Sequence, residues 1–247
     1  MAEPRVITVS QCGSADYKTV QEAVDAVEPK SKTRTIIRVA PGIYKQPVFI
    51  PKDRQMITMI GCRAENTILT WNNTATKTDH HLVIVEGSDF IAENMSFENN
   101  APEGSHQAVA MSIRRSVCIL QLQILGWQGR QYMRDCYIEG NVDYIFGNST
   151  ALFEHCHLHC KPPGFVTAHK RGTTEETTAY VFLRCVLTGN GETGCFGPGS
   201  HRNERVAWSK ELNDQEAEEF LVHKFIDTDP EKSWLCQKMG HRVPVNA

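Results

Sequence analysis

One aspartate in this chain has neighbours that could make a carboxylate chemically active. In Ile138-Glu139-Gly140-Asn141-Val142-Asp143-Tyr144-Ile145-Phe146-Gly147, Asp143 lies between apolar β-formers, with a glycine to either side. Read as a strand, the segment sends Val142 and Tyr144 to one face and Asp143 to the other with Ile145. A carboxylate among aromatic and branched side chains is poorly solvated, which disfavours its charged form. That setting suits a nucleophile or an acid/base; the bland alternative is a turn or edge aspartate.

A second cluster, Glu154-His155-Cys156-His157-Leu158-His159-Cys160, has the residue types of a metal site. On a strand, His155, His157 and His159 would share one face, with Cys156 and Cys160 on the other. Three alternating side chains span ~13 Å, too far for one ion to join them all. A His-x-His pair could bind zinc if a third ligand came from elsewhere, but a structural role is the expectation, with no metal and no cofactor. Asn72-Asn73-Thr74, Asn94-Met95-Ser96 and Asn148-Ser149-Thr150 fit the glycosylation pattern, although Asn94 is expected inside the fold. The glycine-rich stretch Gly189-Asn190-Gly191-Glu192 follows no phosphate-loop pattern and reads as a turn.

Several motifs point the same way. Gly104-Ser105-His106-Gln107-Ala108-Val109-Ala110, Leu125-Gly126-Trp127-Gln128 and the 138–147 segment resemble three signatures of the pectin methylesterase family. Phe90-Ile91-Ala92-Glu93-Asn94-Met95-Ser96-Phe97-Glu98-Asn99, Cys195-Phe196-Gly197-Pro198-Gly199 and Trp208-Ser209-Lys210-Glu211-Leu212 resemble its plant members. The resemblance runs from about Val6 to the C-terminus. It implies hydrolysis of methyl esters on polygalacturonan without a metal. An aspartate attacks the ester carbonyl, a second handles the proton, glutamines hold the oxyanion and an arginine holds the nucleophile. By their motifs, Asp143 matches the nucleophile, Gln107 and Gln128 the glutamines, and Phe146 an aromatic of the substrate cleft.

Three gaps interrupt the resemblance, near 81/82, 128/129 and 194/195. Gln128 is followed by Gly129-Arg130-Gln131, so the acid/base aspartate has no counterpart, and the Leu-Gly-Arg-Pro-Trp segment with its arginine is missing. The family's Thr-Ala-Gln-Ser-Arg is Thr167-Ala168-His169-Lys170-Arg171 here. Asp135 and Glu139 are the nearest carboxylates that could stand in for the acid. The competing reading is a silent chain that at most binds pectin. Lyases or polygalacturonases would want calcium-binding carboxylate clusters or several aspartates, and neither is found.

The elements that must position these residues are short strands. From Thr35 on, runs at 36–39, 48–50, 56–60, 67–71 and 82–85 are broken by Gly, Pro, Asn and Asp, with no room for βαβ crossovers. Small residues Asn94, Cys136, Cys156 and Cys185 recur between polar neighbours, as the interior of a parallel β-helix would want. An antiparallel sandwich would show Asn-Gly or Asp-Gly hairpin turns, and none falls between Ile36 and Leu187. The family resemblance adds a right-handed coil. Successive coils stack ~4.8 Å apart, so residues one coil apart become neighbours. Gln107 to Gln128 is a plausible coil, but Gln128 to Asp143 is short for one, which predicts a displaced Gln128. Val20, Ala23, Val24 and Val27 predict an N-terminal capping helix with Thr19 and Glu22 as its capping box and Pro29 beyond its end. Asn213 and Glu216, with Ala217, Phe220, Leu221 and Lys224, predict a second helix.

Composition narrows the partners. The 247 residues are expected to form one domain, 1–247, and are 40% hydrophobic with a net charge of −3, which gives no global attraction for nucleic acid or an anionic membrane. No apolar stretch is long enough to span a bilayer, and no secretory leader is visible at the N-terminus. The nine cysteines do not space as a disulfide framework and read mostly as small buried hydrophobes. The family resemblance implies methylesterified homogalacturonan as partner, a proteinaceous inhibitor as a second, a monomeric state and a cell-wall location.

Overall fold

The computed structural model describes residues 3–72, 81–101, 109–113, 117–120, 130–162, 166–189, 213–220 and 225. The chain opens with β1 (Arg5–Val9) and α1 (Val20–Asp25). Next come β2 (Thr35–Val39), β3 (Gly42–Lys45), β4 (Val48–Ile50), β5 (Ile57–Ile60), β6 (Thr67–Trp71), β7 (His81–Val85), β8 (Phe90–Glu93) and β9 (Ser96–Asn99). β10 (Val109–Ile113), β11 (Val117–Leu120), β12 (Arg130–Arg134), β13 (Tyr137–Gly140), β14 (Ile145–Gly147) and β15 (Thr150–Glu154) follow. The last strands are β16 (His157–Cys160), β17 (Thr167–His169), β18 (Tyr180–Leu183) and β19 (Val186–Gly189), before the short α2 (Asp214–Ala217) and a 3-10 turn, Glu218–Phe220.

Every strand ladder among the described residues is parallel, so the expected β-helix is present. One wall is an eight-stranded sheet in the order β1-β2-β5-β8-β11-β12-β15-β18. In chain order the second wall is β3-β6-β9 and then, separately, β13-β16-β19. The third is β4-β7-β10 and then β14-β17. Apolar side chains from all three walls and from α1 meet in one continuous core inside the coil.

The breaks in the second and third walls have one origin. Val117 of β11 faces Gln131 of β12, a step of 14 residues, whereas Gln131 faces Ala151, 20 residues on, and Thr58 faces Ile91, 33 residues on. Only residues 121–129 join β11 to β12. The connection from β12 to β15, residues 135–149, is longer and carries β13 and β14. Among the described residues, the first wall carries its ladder across this short step and the other two walls do not.

Local signals act as expected at the ends. Thr19 accepts a hydrogen bond from the Glu22 amide and Glu22 accepts one from the Thr19 amide, so the capping box closes both ways. Val20, Ala23, Val24 and Val27 are buried against the first coils. The Asn213 and Glu216 side chains likewise exchange bonds with each other's backbone amides across the start of α2. Leu221 and Lys224 lie outside the described residues.

The repeat of small residues needs a correction of one position. Glu93, Arg134, Glu154 and Leu183 are register partners along the first wall. The residues after them, Asn94, Asp135, His155 and Arg184, all adopt left-handed backbone with φ of 53–55°. They form the corner into the second wall. The next residues, Met95, Cys136 and Cys156, point inward and are buried, and Cys185 packs on the same core. Asn94 is thus the half-exposed corner, matched to Asp135 rather than to Cys136, and it does not stack inside. Asn tolerates this backbone because its short amide bonds locally.

Candidate active site

The 138–147 segment is a strand, a bend and a second strand, not one continuous strand. Ile138 is buried in β13, residues 141–143 bend, and β14 restarts at Ile145. Asp143 sits at the end of the bend with φ of +51°. Alternation therefore fails across it: Val142 is 49% exposed while Tyr144 is 5% exposed. Asp143 is half-buried rather than sealed among apolar groups. The sequence reading assumed an extended backbone, which an aspartate in the left-handed region interrupts.

The two glycines make this bend possible. A Cβ on Gly140 would stand 2.3 Å from the Cβ of Tyr144, so the tyrosine folds back across a position that only glycine can occupy. Its hydroxyl then reaches the Cys160 sulfur at 3.2 Å, one coil further on. Gly147 closes β14 with φ of +121°. Between these anchors Asp143 is held by its backbone alone: among the described residues its carboxylate makes no hydrogen bond and no ion pair. Phe146, three residues on, is 7% exposed and lies beside Ala168 of the next coil.

Gln107 and Gln128 lie outside the described residues. Their places in the chain still differ in kind. Gln107 belongs to the connection from β9 to β10, second wall to third, as Asp143 belongs to that from β13 to β14. Gln128 belongs to the short connection between two strands of the first wall.

The two nearby carboxylates, Asp135 and Glu139, both have charged neighbours. Asp135 is the left-handed corner at the far end of β13, beside Arg134 at 3.3 Å and His155 at 3.9 Å. Glu139 projects from β13 and is bound on both oxygens, by Lys161 and by the Tyr137 hydroxyl at 2.6 Å. Burial works against its charge, yet the bonds from Lys161 and Tyr137 outweigh burial and hold its carboxyl below the usual range. Burial and the bond to Glu139 push the Tyr137 hydroxyl up to about 12, so it stays a donor.

The histidine run also departs from expectation. His155 is a corner residue and does not share the face of His157 and His159. Cys156, Leu158 and Cys160 do point inward, as alternation predicts. The His169 ring is committed on both sides: Nε2 donates to the Ser149 carbonyl at 3.1 Å, and Nδ1 accepts the Arg171 amide at 3.1 Å. Sequence reasoning missed the Tyr137, Glu139 and Lys161 cluster. The i, i+2 spacing of Tyr137 and Glu139 was the available signal, but Lys161 joins them only through the coil step.

The pectinesterase family model matches residues 6–194. Pectinesterase 31 of Arabidopsis thaliana is 45% identical over the full length of both chains, in an alignment of 317 positions against the 247 residues here. The structure of a pectin methylesterase from carrot matches with a TM-score of 0.70 at 31% identity. That match covers 76% of this chain and 64% of the carrot chain, so this chain spans a little under two thirds of it. A pectin methylesterase from Aspergillus niger matches with a TM-score of 0.67 at 27% identity, over 78% of this chain and 70% of its own. These likenesses give the coil its right hand, the hand that parallel crossovers favour. With its motifs, its three-walled coil and these relatives agreeing, the chain belongs to the pectinesterase family.

Proposed function

We propose that this chain is a carboxylic ester hydrolase that removes methyl esters from homogalacturonan, giving pectate and methanol. The observation that supports this best is Asp143: a carboxylate at a bend on the rim of the third wall, bound to no other described side chain. A carboxylate Oδ attacks the ester carbonyl, methoxide leaves as methanol with a proton from solvent water, and a second water hydrolyses the resulting anhydride to two carboxylates with release of protons to solvent. Gln107 and Gln128 are the proposed oxyanion donors, and Phe146 the proposed wall of the cleft.

Turnover is proposed to be low. The motif positions of the general acid and of the arginine have no counterpart, and Asp135 and Glu139 are engaged elsewhere. Loss of a general acid costs about 10²–10⁴ in rate. The excess alignment length fits residues missing at 81/82, 128/129 and 194/195 of a single 1–247 domain. The 14-residue step supports a second reading, a chain that binds pectin without turning it over. By family, a proteinaceous inhibitor, a monomeric state and a cell-wall location go with either reading. Methanol release from methylated pectin by the purified chain, beside Asp143→Asn, tests the proposal. Release that Asp143→Asn abolishes supports it. No release together with retained pectin binding favours the second reading.

A further inference from the structure

The outer face of β13-β16-β19 carries a cluster that ester hydrolysis does not use. His157 and His159 stand two apart on β16 and so share a face. Their rings reach across to the next coil and meet at one atom. His157 Nε2 lies 2.7 Å and His159 Nδ1 2.8 Å from the Thr188 hydroxyl oxygen. The two ring planes are nearly perpendicular, at 88°. Two imidazole nitrogens thus converge from different directions on one exposed point.

We propose that His157 and His159, with the Thr188 hydroxyl, form a surface site for a borderline divalent cation such as Ni²⁺, Cu²⁺ or Zn²⁺. The donor set decides the class of ion. Imidazole suits these metals, whereas Mg²⁺ and Ca²⁺ want oxygen ligands. The Thr188 hydroxyl has one proton to share, so one imidazole must supply an N–H to that contact. On metal binding that ring carries its proton on its other nitrogen, so that both facing nitrogens offer lone pairs to the ion. Tyr137 holds both rings in place, edge-on to His157 with centroids 5.1 Å apart and stacked on His159 at 6.3 Å. Glu139, opposite His159 in register, lies beside the site with its oxygens bound to Tyr137 and Lys161, which balances its charge. Thr188 is exposed, so water completes the coordination. No group of three or more His, Cys, Asp or Glu among the described residues is arranged to hold a metal. The site is accordingly an open, exchangeable one rather than a closed structural centre.

The test is a titration of the full chain with Ni²⁺, its exposed thiols Cys12 and Cys62 alkylated, followed through the histidine ring NMR signals. The His157 and His159 signals should broaden together and first, at one Ni²⁺ per chain, while Mg²⁺ leaves them unchanged. His157→Ala and His159→Ala should each weaken binding by about tenfold or more, and Thr188→Val by less. Ni²⁺ reaching His155 or His169 first, or binding that survives both histidine substitutions, overturns the proposal. Should the variants fail to fold, the wild-type chain decides it. Ni²⁺ should protect His157 and His159 from ring acylation, and equal modification with and without the ion overturns the site.

Discussion

The first wall and the other two respond differently to the same short coil. The first runs through all eight strands and keeps its register across the 14-residue step from β11 to β12. The second and third walls stop at β9 and β10 and resume at β13 and β14. A β-helix can therefore hold its stack across a short step when one ladder spans it, because each coil needs only its neighbours. A site has no such tolerance. Asp143 heads the first third-wall strand after the break, and Gln107 precedes the last one before it. On the proposed reading, the break therefore falls between Asp143 and Gln107 in the chain.

The largest expected effect follows from that contrast. Lengthening the 121–129 connection with the corresponding residues of Pectinesterase 31 should raise methanol release by about 10²–10⁴, or about 3–5 kcal/mol of transition-state stabilisation. Asp143→Asn should abolish release in both backgrounds. An unchanged rate in the lengthened chain would show that the break does not limit the site.

Next comes the coupling between the two blocks. Leu69 of β6 and Leu158 of β16 are both fully buried in the second wall, one before the break and one after. Each change to alanine should cost about 2–5 kcal/mol. Among the described residues one ladder of three crosses the break, so native-state hydrogen exchange should feel Leu158→Ala in β13–β19 and scarcely in β2–β7. A uniform loss of protection in both blocks would mean that the continuous core and the first wall couple them fully.

How much of this was legible in the sequence depends on periodicity. The strands at 48–50 and 67–71 match β4 and β6, and α1 and its capping box are as read, because alternation and capping act over a few residues. The parallel coil was legible from short strands without hairpin turns, and the short coil from residue spacing. The phase of the repeat was not. Asn94 was matched to Cys136 by size, whereas left-handed backbone matches it to Asp135, His155 and Arg184, three dissimilar side chains. The setting of Asp143 departs from strand alternation for the same reason, since a single positive φ reverses the alternation around it. Likewise, His155 left the expected histidine face because it is a corner. Contacts made only through the coil step, such as Lys161 to Glu139, have no local signature at all.

The corners give smaller effects of opposite sign on the two sides of the break. Asn94 and Arg184, with φ of 55° and 53°, sit in equivalent corners. Asn94→Ala should cost about 1 kcal/mol, since alanine lacks the local bonding that eases this backbone. Arg184→Gly should gain up to about 1 kcal/mol, since glycine removes the Cβ strain. Denaturant midpoints of the two variants measure this. Two losses would show that the Arg184 side chain outweighs its backbone.

The smallest expected effect is on charge and belongs wholly to the block after the break. Glu139 and Lys161 lie on β13 and just beyond β16, and the folded carboxyl titrates below its usual value of 4.5. A depressed folded value means that the unfolded chain binds the proton more tightly. The pair therefore stabilises at pH values above 4.5, and that contribution fades as the pH falls through the folded value. Lys161 is 43% exposed, so solvent screens the pair and Glu139→Gln should cost about 0.2–1 kcal/mol at neutral pH. The gap between wild type and variant should narrow in high salt and close as the pH falls below 4.5. It should appear as lost amide protection in β13 and β16 while β3 and β6 stay as they were. A gap that persisted unchanged at low pH would assign the cost to packing of the Glu139 stem against Tyr137 rather than to its charge.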